Sequence, residues 1–464
     1  MNTTRIERDS MGEMPVPAAA LYGASTQRAV LNFPISGRPL PAPFIHALGL
    51  VKWACATANE ELGLLDPGKA AWIRQAAAEI QAGKLDEHFP VDIFQTGSAT
   101  STNTNANEVI ANRANQLAGQ PIGARAPVHP NDDVNLGQSS NDIMPTTLHV
   151  ATALLLQREL VPALGQLAGS LAERAQAFAG VIKIGRTHLM DATPLTLGQE
   201  FSGYAAQVRK ACRRARQAIE ALGELAVGGT AVGTGINCHP DFADRVGAIL
   251  SEKTGLAFRP ADNHFEAQGG RDDAVEVAGH LATIAVSLTK IANDIRLLGS
   301  GPRCGLGEIR LPPTQPGSSI MPGKINPVMS EMLVQSCIYA QGMAQVVTLC
   351  GRDGHLQLNV TIPLIAHALL DTIGILANAS RTFAERCVAG LQADEERCAE
   401  LLERSLMLVT ALNPHIGYDR AAQVAKKAHA ENKTLRAVVL ELGLLDAATL
   451  DRVLDPAAMC GDAT

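Results

Sequence analysis

The chain has 464 residues, of which 46% are hydrophobic but only 3% aromatic, and its formal net charge is -7. That length buries a large core and divides into two or three domains, and an interior of Ala, Leu, Val and Ile favours packed helices over a sheet sandwich. A mixed, net negative surface leaves no basic patch for a polyanion, so nucleic acid is excluded as a partner.

The first residues, MNTTRIERDSMGEMP, carry Arg5, Glu7, Arg8, Asp9 and Glu13 with no apolar run behind them, which is not a secretory signal. The nine cysteines are scattered and never closer than 11 positions, so neither a C-x-x-C pair nor a disulfide framework is visible. A reducing, cytoplasmic location is expected. Up to residue 138 short helical patterns alternate with breakers, which predicts a mostly helical N-terminal domain over 1–138.

Within it, GSATSTNTNANEVIANR (97–113) crowds Ser98, Thr100, Ser101, Thr102, Asn103, Thr104, Asn105 and Asn107 ahead of a helical run. Such a stretch offers hydroxyl, amide and helix N–H donors to an oxyanion, or is simply an overlong helix cap. HPNDDVN places His129 and Asn131 beside Asp132 and Asp133. These are metal-ligand types, yet adjacent carboxylates on a Pro-containing loop are more often turn residues, and no metal is expected.

From 139 to 392 the pattern turns to long apolar helices, a central helical-bundle domain. QSSND sets Ser139, Ser140 and Asn141 just before the first, and GRTHLMDATPLTLGQE sets Thr187 and His188 in a loop before another. A lone histidine is more often structural than catalytic. GGTAVGTG (228–235) lacks the G-x-G-x-x-G spacing and a preceding strand, so a dinucleotide site is not predicted.

In DDAVEVAGHLATIAVSLTKIANDIRLLGS, Leu281, Leu288 and Ile295 recur every seven residues, as do Ile284, Ile291 and Leu298. Two such rows ask for a partner helix. Met332 to Gly351 contains no charged residue, yet Gln335, Gln341 and Gln345 make it a poor membrane span. It is expected to be buried all round, in a bundle completed by other subunits. After 393, short charged helices predict a small C-terminal helical domain over 393–464.

PGSSIMPGKINP (316–327) is the most unusual loop. Gly317 and Gly323 have five residues between them and Ile325 follows Lys324, so it is not a phosphate-binding P-loop. What remains is either a solvated surface turn or a loop whose N–H groups approach an anion, with Lys324 as counter-charge and Ser318 or Ser319 free to react. Together the loops hold many neutral donors, one lysine, one histidine and several serines. That inventory suits reversible proton chemistry on a small polycarboxylate.

GSSIMPGKINP resembles the signature loop of the aspartase/fumarase superfamily. IGRTHLMDATPLTLGQE, HPNDDVN, QSSND, GGTAVGTGIN, KIANDIRLLGSGPRCGLGEI and SLMLVTALNPHIGYD are similar to class II fumarase, and the likeness runs from near residue 10 to near 460. The resemblance implies an all-α, three-domain subunit whose central long-helix bundle forms the core of a homotetramer. Active sites would be shared between three subunits, with fumarate or L-malate as substrate, no cofactor and no membrane.

By the same resemblance Ser318 would remove the C3 proton of malate, and His188, oriented by Glu331, would handle the departing water. Ser98, Thr100, Ser139, Ser140, Asn141, Thr187, Ser319, Lys324 and Asn326 would bind substrate, and His129, Asn131 and Asp132 would form a second dicarboxylate site. Aspartases usually carry glutamine at the position of His188 and alanine at that of Gly323, which favours hydration over deamination.

The alternatives are an aspartate ammonia-lyase or another fumarate-forming lyase, with a substituted succinate meeting Arg271. A bundle protein without chemistry has no need of the Ser318, Lys324, Asn326, Thr187, His188 and Glu331 set. Departures from the family pattern are Ala99 for glycine, Thr104 for methionine, the Gly269-Gly270-Arg271 segment, Gln357 for glutamate, and Arg125 one position before the expected arginine.

Overall fold

The computed structural model describes residues 4–461. Its described residues form eighteen α-helices, and extended chain is confined to four two-stranded sheets. The mainly helical expectation therefore holds. The scarcity of aromatics has a packing consequence, because small side chains let helix backbones approach closely. The helices Ala42–Glu61 and Pro67–Gln81 meet at Gly49, where an added Cβ would lie 2.8 Å from the Ala77 carbonyl oxygen.

Two compact units are formed, each from separate stretches of chain. The first takes residues up to 162 together with 213–285 and 337–377. In it the Ala42–Glu61 helix packs on Pro67–Gln81, on Ser140–Leu155 and on Phe242–Thr254, and buries Phe44, Leu48, Ile73, Ile80, Ile143 and Met144. Asp66 caps the Pro67–Gln81 helix by accepting from the Lys69 N–H at 3.0 Å, with Pro67 pre-set for the first turn.

An N-terminal hairpin pairs Thr4–Asp9 with Gly12–Pro17 in antiparallel register, Arg5 opposite Val16 and Asp9 opposite Gly12. Local patterning hardly signals it, since both strands are half-exposed and charged residues interrupt their apolar alternation. Gly12, at φ +118°, makes the tight turn that closes it.

The second unit takes 163–212, 286–336 and 378 onward. Its core includes edge-on stacking of Phe178 on Phe201, with ring centroids 5.3 Å apart, and of Phe201 on Tyr204 at 5.4 Å. The Tyr204 hydroxyl donates to Asp294 Oδ2 at 3.0 Å. A separate cluster built on Leu412, Val424, Val438, Val439 and Leu450 holds the C-terminal helices together.

The heptad rows of the Asp272–Leu298 helix are buried at all six positions. The uncharged run is covered by its own chain on one side. In the Val328–Arg352 helix the buried positions are Ser330, Leu333, Cys337, Ala340, Val347 and Cys350, and Ile338, Tyr339 and Leu349 stand exposed on the single chain. Helices Asp272–Leu298 and Ile362–Gly390 are long and apolar enough to cross a bilayer by length and composition. The six heptad positions of the first and Ile365, Leu369, Ile373 and Leu376 of the second are packed into protein, while Val286 and Leu297 of the first stand exposed.

Phe201 is fully buried between two other rings. Phe201→Ala is expected to cost about 3–5 kcal/mol of stability, read as the shift of the denaturant midpoint. A cost below about 1 kcal/mol would show that this ring does not carry the core of its unit.

Candidate active site

In the first unit two helix N-termini present their hydroxyls to each other. Thr100 opens the Thr100–Leu117 helix and Ser140 opens the Ser140–Leu155 helix, and Thr100 Oγ1 lies 2.7 Å from Ser140 Oγ and 2.8 Å from Ser98 Oγ. Beside this chain Thr96 Oγ1 sits 2.9 Å from Ser101 Oγ, and Gln95 Oε1 accepts from both the N–H and the hydroxyl of Thr102. Orphan N–H groups and two positive helix ends at one place favour an anion.

The local sequence explains the shape. Ser139 caps the second helix by accepting from the Asn141 N–H at 3.2 Å, and Asp142 completes the capping box by accepting from the Ser139 N–H at 2.9 Å. The other Asp142 oxygen accepts from the N–H groups of Gly228 and Thr230, both at 3.0 Å. Burial pushes the Asp142 carboxyl up to about 6, against the downward pull of these three N–H donors and of Lys52. The glycine-rich 228–235 loop is thus fastened to the serine turn, and the Asn141 amide donates to the Ala231 carbonyl at 2.8 Å.

Ala99, the cap of the first helix, sits at φ 58° in the left-handed region, which accounts for the glycine usual there. Gly97 admits no substitute at all, since a Cβ would fall 1.7 Å from the Val360 carbonyl oxygen. Arg271 does not reach toward a substrate. It is 3% exposed and donates to the carbonyls of Ala267 and Gln268, and the neighbouring Gly269 lets the backbone of Leu356 come close.

His129 caps the short π-turn Pro130–Val134, its Nδ1 accepting from the N–H groups of Asn131 and Asp132 at 3.4 and 3.2 Å. Asp133 accepts from the His129 N–H at 2.7 Å and pairs with Lys69 at 2.8 Å. Asn131 and Asp132 remain exposed. Among the described residues no group of three His, Cys, Asp or Glu side chains is placed to hold a metal ion.

In the second unit a hairpin pairs Ile182–Thr187 with Met190–Thr196, and its two-residue tip is His188 and Leu189. Both have positive φ, 57° and 63°, a conformation in which side-chain-bearing residues are strained. The base of the hairpin holds the tip in place. Lys183, 1% exposed, reaches Glu200 and Glu308 at 3.1 Å each, and Arg186 grips Glu308 through two bonds of 3.0 and 2.9 Å. Glu308 is fully buried.

The 316–327 loop in the same unit is irregular but ordered by its own backbone. The Gly317 N–H donates to the Lys324 carbonyl at 2.8 Å, and the Asn326 amide donates to the Gly317 carbonyl at 2.7 Å. Ser318 Oγ accepts from the N–H groups of Ile320 and Met321 at 3.2 and 3.0 Å. These donors lower the cost of negative charge on that oxygen. Ser319 and Lys324 are exposed, and Lys324 lines an open pocket of about 440 Å³ with Ser318 and Met321.

The described residues of the single chain form no hydrogen bond between His188 and Glu331, which lies exposed in the first turn of Val328–Arg352. Sequence reasoning missed Asp142 and Glu308. The first was signalled by its place three residues after Ser139, and the second by nothing local.

The chain matches a family model described as lyase over residues 12–342 and one described as the C-terminus of fumarase C over residues 408–461. It is 52% identical to a class II fumarate hydratase of Thermosynechococcus vestitus, covering 99% of this chain and 98% of that protein. A class II fumarate hydratase of Pseudomonas aeruginosa is also 52% identical, over 98% of each. The crystal structure of a class II fumarase from Schistosoma mansoni superposes with a TM-score of 0.96 at 40% identity, covering 99% of both chains.

Because Glu308 is the buried counter-charge to Lys183 and Arg186, Glu308→Gln leaves two cations underpaired beneath the hairpin. A stability loss of about 3–5 kcal/mol is expected in thermal or denaturant unfolding. An unchanged melting temperature would mean that the hairpin does not depend on this pair.

Proposed function

The chain belongs to the class II fumarate hydratases of the lyase family, and on that premise we propose how its residues carry out the reversible anti addition of water to fumarate, giving L-malate. It is a hydro-lyase. The observation that carries the assignment of roles is the pair of backbone N–H groups on Ser318 Oγ.

A serine hydroxyl is too weak a base to take a proton from carbon unless its alkoxide is stabilised in advance. In the direction of fumarate formation, Ser318 removes the C3 proton of malate, and the N–H groups of Ile320 and Met321 hold the oxygen while it is anionic. The electron pair moves into the adjacent carboxylate as an aci-carboxylate dianion, facing Lys324. His188, with Glu331 as its partner, gives a proton to the hydroxyl leaving C2 from the opposite face. Loss of the C2–O bond then makes the double bond and returns the carboxylate to its ordinary form.

Ser98, Thr100, Ser139, Ser140 and Asn141 bind a substrate carboxylate through the hydroxyl chain and helix N-termini. Thr187, Ser319, Lys324 and Asn326 bind from the hairpin and the 316–327 loop. His129, Asn131 and Asp132 form a second dicarboxylate site. The working protein is a cytoplasmic homotetramer of three-domain subunits, divided at 1–138, 139–392 and 393–464, with each active site shared between three subunits and no cofactor. The bare, uncharged face carrying Ile338 and Leu349 supports such an assembly.

Ultraviolet detection of fumarate tests the reading directly. L-Malate should yield fumarate and L-aspartate should not; fumarate from aspartate would make the protein an ammonia-lyase instead. Ser318→Ala should lower kcat by a factor on the order of 10² to 10⁴ with the assembly unchanged by sedimentation. Turnover near that of the native protein would remove Ser318 as the base. His188→Asn should lower kcat and flatten one limb of its pH profile, and a profile of unchanged shape would remove His188 from the proton transfer.

A further inference from the structure

Lys52 is a buried cation that the chemistry above leaves unused. It lies in the Ala42–Glu61 helix, 1% exposed, and its Nζ donates to Asn135 Oδ1 at 3.0 Å and to Gln138 Oε1 at 2.9 Å. Among the described residues no carboxylate lies within ion-pair distance of it, so its hydrogen bonds go to the two amide oxygens while the buried Asp142 carboxylate attracts it from farther off. Burying an ammonium on neutral partners is costly and calls for a reason. Burial pulls it down to about 8.

The partners supply that reason. Asn135 Oδ1 also accepts from Asn103 Nδ2 at 3.2 Å and Asn107 Nδ2 at 3.1 Å, two residues of the helix that begins with Thr100. Gln138 directly precedes Ser139 and clasps its own turn, its amide donating to the carbonyls of Val134 and Leu136 at 3.1 Å each. Asn59 Nδ2 adds a bond to the Leu136 carbonyl at 3.0 Å. One ammonium therefore joins the helix that carries Thr100 to the turn that carries Ser139 and Ser140. Those are the two elements whose hydroxyls meet at 2.7 Å.

We propose that Lys52 is a positioning residue for substrate binding, its ammonium clamping Asn135 and Gln138 so that the Thr100 and Ser140 hydroxyls are held at the spacing that receives a carboxylate. Three N–H donors on a single amide oxygen polarise it beyond what a neutral network sustains, and the charge makes the clamp stiff. The assignment rests on Thr100, Ser139, Ser140 and Asn141 being carboxylate binders.

Steady-state kinetics with L-malate on the native assembly test it, using Lys52→Met, which keeps length and volume, beside Thr100→Val. Both should raise KM, Lys52→Met by about tenfold or more, with kcat within about twofold. The double variant with Gln138→Leu should be no worse than Lys52→Met alone, because both act through one clamp. A rise in KM for Thr100→Val with none for Lys52→Met would overturn the positioning role and leave the binding site standing. No rise for either would overturn both. A fall in kcat at unchanged KM for Lys52→Met, or a lower melting temperature with unchanged kinetics, would mark Lys52 as structural only. If Lys52→Met does not fold, Gln138→Leu alone, at a half-buried position, must raise KM, and an unchanged KM there overturns the proposal.

Discussion

A carboxylate without solvent has to find its hydrogen bonds in the protein. Asp142 is fully buried, and it meets this demand with the N–H of Ser139 on one oxygen and those of Gly228 and Thr230 on the other. The serine turn and the glycine loop are 86 and 88 residues from each other along the chain by these two bonds, yet a single acid sets both. Everything on the surface of that site follows from it: the direction of Asn141 toward Ala231, the cap on the Ser140–Leu155 helix, and the approach of Ser140 to Thr100.

The second unit solves a similar problem with the opposite balance of charge. Glu308 is buried under two cations, and those cations belong to the hairpin whose tip carries His188. The positive φ values of His188 and Leu189 are the strained part, and the ion cluster at the base is the part that resists relaxation. In both units the exposed groups suited to chemistry stand on buried acids that never need to meet a substrate. Rigid support beneath exposed reactive groups is what preorganisation requires.

The features legible in the sequence were those written in local patterns. The heptad rows from Leu281 to Leu298 gave both a helix and its buried face, because apolar spacing is a property of neighbouring residues. The Thr100 and Ser140 helix starts were legible as runs of hydroxyl and amide residues, although whether they were caps or anion donors was open; in the structure Ser139 caps one helix, Ala99 leaves the other without a side-chain cap, and the Thr100 and Ser140 hydroxyls face one another. Glu308 was illegible, since its meaning depends on Lys183 and Arg186 more than a hundred residues earlier. The Met332–Gly351 stretch lacks charge on every side, and one chain covers a single stripe of it, so the rest of the burial expected there is left to other subunits. Arg271 looked like a candidate for a substrate contact because unusual residues draw attention, but its guanidinium serves backbone carbonyls inside the protein.

The way each unit is pieced together also bears on how the chain acquires its structure. The first unit is incomplete until residues 337–377 join it, and the second needs segments on both sides of 213–285. Neither can finish while only the N-terminal half has left the ribosome. Contacts between such distant segments close large loops, which slows the search and leaves apolar helix faces uncovered in the interval. A polypeptide of this design spends its synthesis partly folded, and its yield in a cell is set by how well those unfinished intermediates are kept from one another as much as by the stability of the finished protein.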